Sequence, residues 1–124
     1  MKSNTEQGKE FRNAYQTQNS RSPEVRMLQK SLIVEEFKEF IEVEPQLYRN
    51  NPDLHADVLK ELGDLVYVCF QYAINMGWDL DEALRLIHQS NMSKLDEDGK
   101  PIYREDGKVL KGENYKPPNL THLV

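Results

Sequence analysis

The chain holds a single cysteine, Cys69, among 124 residues. One thiol cannot build a disulfide framework, and it cannot form a Cys-based zinc site either. Long apolar runs are also missing, with nothing approaching the roughly 18 residues that span a bilayer. The opening Met1 to Glu10 is polar and lacks the apolar centre of a secretory signal. No basic excess exists: 16 Lys plus Arg face 21 Asp plus Glu, a formal net charge of -5. A duplex nucleic-acid binder normally carries surplus cations to neutralise phosphates, so that class starts at a disadvantage. Hydrophobic residues make up 38% and charged residues 30%, which is wet but above the composition of wholesale disorder. The expectation is a soluble, cytoplasmic, single-domain protein, with no membrane and no duplex nucleic acid as partner.

Four segments carry helical patterns. Thr5 to about Gln18 is polar, with Phe11, Ala14 and Tyr15 on one side, and reads as a peripheral helix. Ser22-Pro23-Glu24 combines a capping hydroxyl, a proline suited to the first turn and an acid at the positive dipole end. From there Leu28, Leu32, Ile33, Phe37, Phe40 and Ile41 recur at helical spacing until Pro45 loosens or ends the helix. Asn51-Pro52 repeats the start signal for a third helix to about Met76, with Gly77 as its stop. Its second half, Leu65 to Phe70, is apolar on all sides and predicts full burial at the centre of the core. Asp79 and Glu82 resemble an acidic capping box opening a fourth helix to about Lys94.

After Leu95 the character changes, dividing a helical core over 1–95 from a turn-rich C-terminal arm over 96–124. Glu97-Asp98-Gly99-Lys100 and Glu105-Asp106-Gly107-Lys108 repeat around Pro101-Ile102-Tyr103, which predicts a small hairpin or successive turns. The arm is too polar for its own core and must lie on the helices, on a partner subunit or on a ligand. Asp96-x-Asp98-Gly99 lacks the remaining ligand series of an EF-hand, so a calcium loop is rejected.

The sharpest signal is a set of carboxylates without local cations. Glu36 and Glu39 lie three apart on the second helix, as do Glu61 and Asp64 on the third, so each pair shares a helical face. Glu36, Glu39 and Glu61 have no Lys or Arg three or four residues away; Asp64 alone has Lys60. Glu36 falls among Leu32, Ile33 and Phe40, which points a carboxylate inward, where an unpaired charge is costly. Solvated faces of acidic helices are the bland alternative, and Glu42 and Glu44 fit it. A divalent cation would remove both repulsion and desolvation, and Mg²⁺ prefers such oxygen ligands while leaving room for phosphates. A di-iron carboxylate bundle needs Glu-x-x-His pairs, and none of His55, His88 or His122 follows a Glu by three.

Glu35-Glu36-Phe37-Lys38-Glu39 followed by Glu61-Leu62-Gly63-Asp64 resembles the EExxE…ExxD signature of the MazG-like, all-α nucleoside triphosphate pyrophosphohydrolases. Phe11 to Pro23 resembles that family's first helix and loop, and Asn91-Met92-Ser93-Lys94 its Asn-x-x-Lys element. Asp98 to Pro118 is similar to the tail of short phage-borne and mobile-cassette members. The resemblance implies an all-α four-helix core completed by dimerisation, as a homodimer or a tetramer of two dimers, with an extended C-terminal arm. It implies hydrolysis of a nucleoside triphosphate to monophosphate and pyrophosphate, with Mg²⁺ as cofactor and Mn²⁺ able to substitute. Glu36, Glu39, Glu61 and Asp64 would be metal ligands. Glu35 would be catalytic, on a further metal or orienting the attacking water. Asn91, Lys94, Lys108, Lys111 and Tyr115 would contact the nucleotide, and Phe11, Asn13 and Gln16 would line a base pocket.

The chemistry is consistent with that implication, because an acidic site can receive a triphosphate only through bridging cations. Residues 35 to 64 hold nine acids and three bases, a net of -6, against +1 elsewhere. The expected role is cleaning of (deoxy)nucleoside triphosphate pools. A narrower enzyme for dUTP, dCTP or phosphoribosyl-ATP is the nearest alternative, and a non-catalytic nucleotide-binding helical oligomer is the alternative outside enzymes.

Overall fold

The computed structural model describes residues 1–124, which form two compact units, Met1–Trp78 and Asp79–Val124. Four helices dominate and the fold class is all-α: α1 (Asn4–Ala14), α2 (Pro23–Val43), α3 (Pro52–Met76) and α4 (Leu80–Met92). No helix is long and apolar enough to cross a membrane.

In the first unit α3 is the spine, with α2 and α1 packed on it. Ser22 caps α2 by accepting from the Val25 amide at 3.2 Å, with Pro23 in the first turn. Pro45 falls in a 3₁₀ turn, Glu44–Tyr48, that prolongs α2 loosely. Asn51 caps α3, and Gly77 ends it in the left-handed region at φ 79°. The Trp78 amide reaches back to the Ala73 carbonyl at 2.9 Å, and Arg21 donates twice to the Met76 carbonyl, at 2.9 and 2.6 Å. Those bonds satisfy carbonyls that a helix end leaves bare.

α1 is shorter than its polar pattern predicts. It closes at Ala14 in a Schellman turn, the Gln16 amide on Asn13 and the Thr17 amide on Arg12, with Gln16 at φ 55°. A glutamine in place of the usual glycine there gave no stop signal. Midway along α1, Gly8 lies so near α3 that a Cβ would stand 2.4 Å from Ile74 Cδ1.

Burial along α3 corrects one expectation. Phe70, Ala73, Ile74 and Met76 are buried, but Val66 is 47% and Tyr67 40% exposed. α2 is similar, with Leu28, Phe37 and Ile41 about half exposed. A helix apolar all round needs neighbours all round, and this unit supplies α3 with only two helices.

In the second unit Asp79 Oδ1 accepts from the Glu82 amide at 3.0 Å and caps α4. The capping box is one-sided, because the Glu82 carboxylate takes a forked hydrogen bond from Arg85 instead. β1 (Ile102–Tyr103) and β2 (Val109–Leu110) pair antiparallel, Ile102 opposite Leu110 and Tyr103 opposite Val109. Gly99 and Gly107, at φ 74° and 91°, supply the left-handed positions of the two Asp-Gly turns. A final 3₁₀ turn spans Thr121–Leu123.

Candidate metal centre and family

Glu36 and Glu39 project from successive turns of α2 and meet Glu61 of α3, so that one ligand oxygen from each lies within 4.8 Å of the others. All three residues are half-buried. Glu36 Oε2 and Glu61 Oε2 are buried and receive no hydrogen bond. A buried acceptor left without a donor costs about 1–3 kcal/mol, and more when charged. The Glu39 carboxyl is pushed above its ordinary range, first by its hydrogen bond with Glu36 and then by the charge of Glu36. Desolvation and the charge of Glu35 push the same way, while its hydrogen bond with Glu61 opposes them.

Such a cluster has the donor set of a hard divalent cation: oxygen ligands only, converging from two helices, with two buried oxygens unclaimed by the protein. The residues fit a metal ion, and Glu36, Glu39 and Glu61 are the groups that could hold it.

Asp64 has a different partner. Lys60 Nζ lies 2.9 Å from Asp64 Oδ2 and 3.6 Å from Glu61 Oε1. Hydrogen bonding and charge from Asp64, then the charge of Glu61, raise the Lys60 pKa. The local ion pair available from sequence is therefore formed, and the triad assembles without Asp64. Glu35 is exposed on α2, beside Glu36.

The other candidates lie in the second unit. Asn91 is exposed in the last turn of α4 and Lys94 half-buried just beyond it. Lys108 is exposed at the hairpin, and Lys111 Nζ stands 4.7 Å from the centre of the Tyr115 ring. Acids and bases balance in this tail, yet its ion pair is Arg104 with Asp106, and Lys94, Lys108 and Lys111 have no carboxylate partner. In the first unit Phe11 packs on Tyr15, ring centres 4.6 Å apart, and edge-on against Tyr67 at 5.6 Å.

Sequence reasoning missed a buried polar hub. Arg12 is 3% exposed and donates to Asn19 Oδ1 at 2.8 Å, Gln71 Oε1 at 3.2 Å and Asn75 Oδ1 at 3.3 Å. Asn75 is doubly bonded to the Ser20 backbone, and Gln71 Nε2 donates to the Gly8 carbonyl at 3.2 Å. The available signal was Gln71 and Asn75 themselves, two carboxamides four apart in an otherwise apolar stretch.

Residues 5–91 match the family described as phosphoribosyl-ATP pyrophosphohydrolase. The chain belongs to that family. It is thereby a member of the MazG-like, all-α nucleoside triphosphate pyrophosphohydrolase superfamily. Membership makes this family protein a pyrophosphohydrolase, a hydrolase of phosphoric anhydrides, with a nucleotide as its substrate. The family is typically dependent on a divalent metal, in keeping with the glutamate triad. No curated protein matches the chain.

Proposed function

We propose that the protein hydrolyses (deoxy)nucleoside triphosphates to the monophosphate and pyrophosphate with Mg²⁺, cleaning nucleotide pools in the cytoplasm. The observation that carries this reading is the pair of buried, donor-free oxygens on Glu36 and Glu61, converging with Glu39 within 4.8 Å. Mg²⁺ bound there would supply Lewis acidity and charge neutralisation for the phosphates, with Mn²⁺ a workable substitute.

Glu36, Glu39 and Glu61 would hold the cation, and Asp64, now paired with Lys60, would be a fourth ligand. Glu35, exposed beside the cluster, accepts a proton from the attacking water and orients it toward the α-phosphorus. Asn91, Lys94, Lys108, Lys111 and Tyr115 contact the nucleotide, the lysines neutralising phosphates as point charges. The protein acts as a homodimer or a pair of dimers. Support comes from α3, where a groove of about 380 Å³ is lined by Leu59, Leu62, Val66, Tyr67 and Phe70.

A second reading, phosphoribosyl-ATP as the substrate, is favoured by the family match over residues 5–91. Both substrates present the same triphosphate, so the glutamates serve either. The deciding experiment incubates the protein and Mg²⁺ with a panel of canonical nucleoside triphosphates, their deoxy forms and phosphoribosyl-ATP. Monophosphate and pyrophosphate in equal amounts from the deoxynucleotides support the first reading. Turnover of phosphoribosyl-ATP alone supports the second. No product from any of them, with metal binding intact, sinks both.

A further inference from the structure

The segment from Gly112 to Lys116 is gripped at both ends by α4 and the turn that follows it. At one end the Gly112 amide donates to the Lys94 carbonyl at 2.8 Å. A Cβ on Gly112 would stand 2.7 Å from the Leu95 carbonyl oxygen and 2.8 Å from that of Lys94, so a side chain has no room. At the other end both backbone polar groups of Lys116 are taken. Its amide donates to Ser93 Oγ at 2.9 Å, and its carbonyl accepts from Ser90 Oγ at 2.7 Å. Ser93 Oγ also donates to the Ser90 carbonyl at 2.6 Å, and Ser90 is only 7% exposed.

What the grips hold is chemically specific. Tyr115 is turned in by its amide on the Gly112 carbonyl at 3.2 Å, and Lys111 stacks on its ring. The ring face attracts the ammonium, which restrains an otherwise flexible lysine stem. The ion pairs of this unit are Arg85 with Glu82 and Arg104 with Asp106, so the Lys111 charge is not consumed by a carboxylate. A restrained, unpaired cation beside an aromatic face is suited to a phosphate and its attached nucleoside.

We infer that Ser90, Ser93 and Gly112 are positioning residues, which set Lys111 and Tyr115 in advance for the nucleotide. The inference rests on the reading of Lys111 and Tyr115 as substrate contacts given above. Without the grips, the segment would have to be ordered at each binding event, and that cost would appear in substrate affinity. A grip that served stability alone would lower the melting temperature and leave KM untouched.

The test is a double-mutant cycle on Ser93 and Lys111, read in KM and kcat for whichever triphosphate the protein hydrolyses. Ser93→Ala is expected to raise KM about tenfold with kcat within about twofold, and Lys111→Gln to do the same. The combined variant should be little worse than Lys111→Gln alone, because a displaced segment has no cation left to misplace. Ser93→Thr, which keeps the hydroxyl, should restore KM. Ser90→Ala repeats the measurement at the second hydroxyl in case Ser93→Ala fails to fold. Additive effects, or an unchanged KM with a lowered melting temperature, overturn the inference while leaving the hydrolase reading intact. If the wild type binds an α,β-methylene triphosphate with Mg²⁺ but turns nothing over, the same cycle is read in Kd. Coupling there upholds the positioning role while the hydrolase reading fails. A wild type that neither binds nor hydrolyses overturns both.

Discussion

Glu36 on α2 and Glu61 on α3 each bury an Oε2 that no donor reaches, and both share a 4.8 Å cluster with Glu39. Three carboxylates in that space repel one another unless a cation or a proton intervenes. Removing one charge should therefore have opposite consequences with and without metal. In chelator, Glu36→Gln or Glu61→Gln relieves like-charge repulsion of a few tenths of a kcal/mol or more, raising the melting temperature by about 1–4 °C. At a hundredfold excess of Mg²⁺ over its Kd the wild type gains about 2.7 kcal/mol, and the variants gain far less. Activity of either variant should fall about 100-fold or more. Calorimetric melts in chelator and in Mg²⁺ check the inversion; a shift of the same sign in both would refute the cluster as a cation site.

Glu39 makes the metal-free protein pH-sensitive in a defined direction. Its folded-state pKa is raised, chiefly by the hydrogen bond with Glu36. A raised carboxyl contributes stability that is fully present below its ordinary unfolded-chain value, near 4.5. That contribution is lost as pH climbs through the folded value. In chelator the melting temperature should thus fall across that window, and Glu39→Gln should flatten the change. Divalent metal displaces the same proton, so metal affinity should rise over the same pH interval with proton release on binding. Melts and titration calorimetry in two buffers of different ionisation enthalpy measure both effects.

Arg12 is the structural counterpart of the acidic cluster, a buried charge held by neutral acceptors. Its guanidinium spans Asn19, Gln71 and Asn75, and burial lowers its pKa. Arg12→Ala strands these acceptors and should cost about 2–4 kcal/mol, a fall of roughly 10 °C in melting temperature. Arg12→Lys should recover little, because a single ammonium cannot reach three acceptors in the fork geometry. Chemical denaturation of both variants decides it; a loss under about 0.5 kcal/mol for Arg12→Ala would show that the hub is incidental.

Much of this architecture is legible without coordinates, for local reasons. Ser22-Pro23, Asn51-Pro52 and Asp79 mark helix starts because capping depends on neighbours in sequence. Glu36, Glu39 and Glu61 stand out because helical spacing exposes their lack of nearby cations. Non-local facts stay hidden. Gln16 ends α1 in a conformation that its residue type does not announce. Arg12 finds Gln71 and Asn75 about sixty residues away, and Ser90 finds the Lys116 carbonyl across a tail with no pattern pointing to it. The run from Leu65 to Phe70 misleads for another reason: apolar residues on every side favour burial, but do not say whether the fold supplies neighbours on every side.

That last point bears on assembly. Leu59, Leu62, Val66 and Tyr67 lie on one side of α3 and are between 40% and 67% exposed. Leaving them in water forgoes about 25 cal/mol for each Å² of apolar surface. Contiguous apolar area rimmed by polar groups such as Asn4, Gln7 and Gln71 is the usual mark of an interaction surface. If a second copy covers this face, one charge at its centre should be enough to expel it. Val66→Glu is therefore expected to shift the protein from dimer or tetramer to monomer in sedimentation velocity at micromolar concentration. Activity should fall with it if each site draws on both copies. Tyr48→Glu, at a residue 78% exposed in the 3₁₀ turn, should leave the oligomeric state unchanged. A wild type that sediments as a monomer would leave the groove open to solvent, and a Val66→Glu variant that stays assembled would place the interface elsewhere.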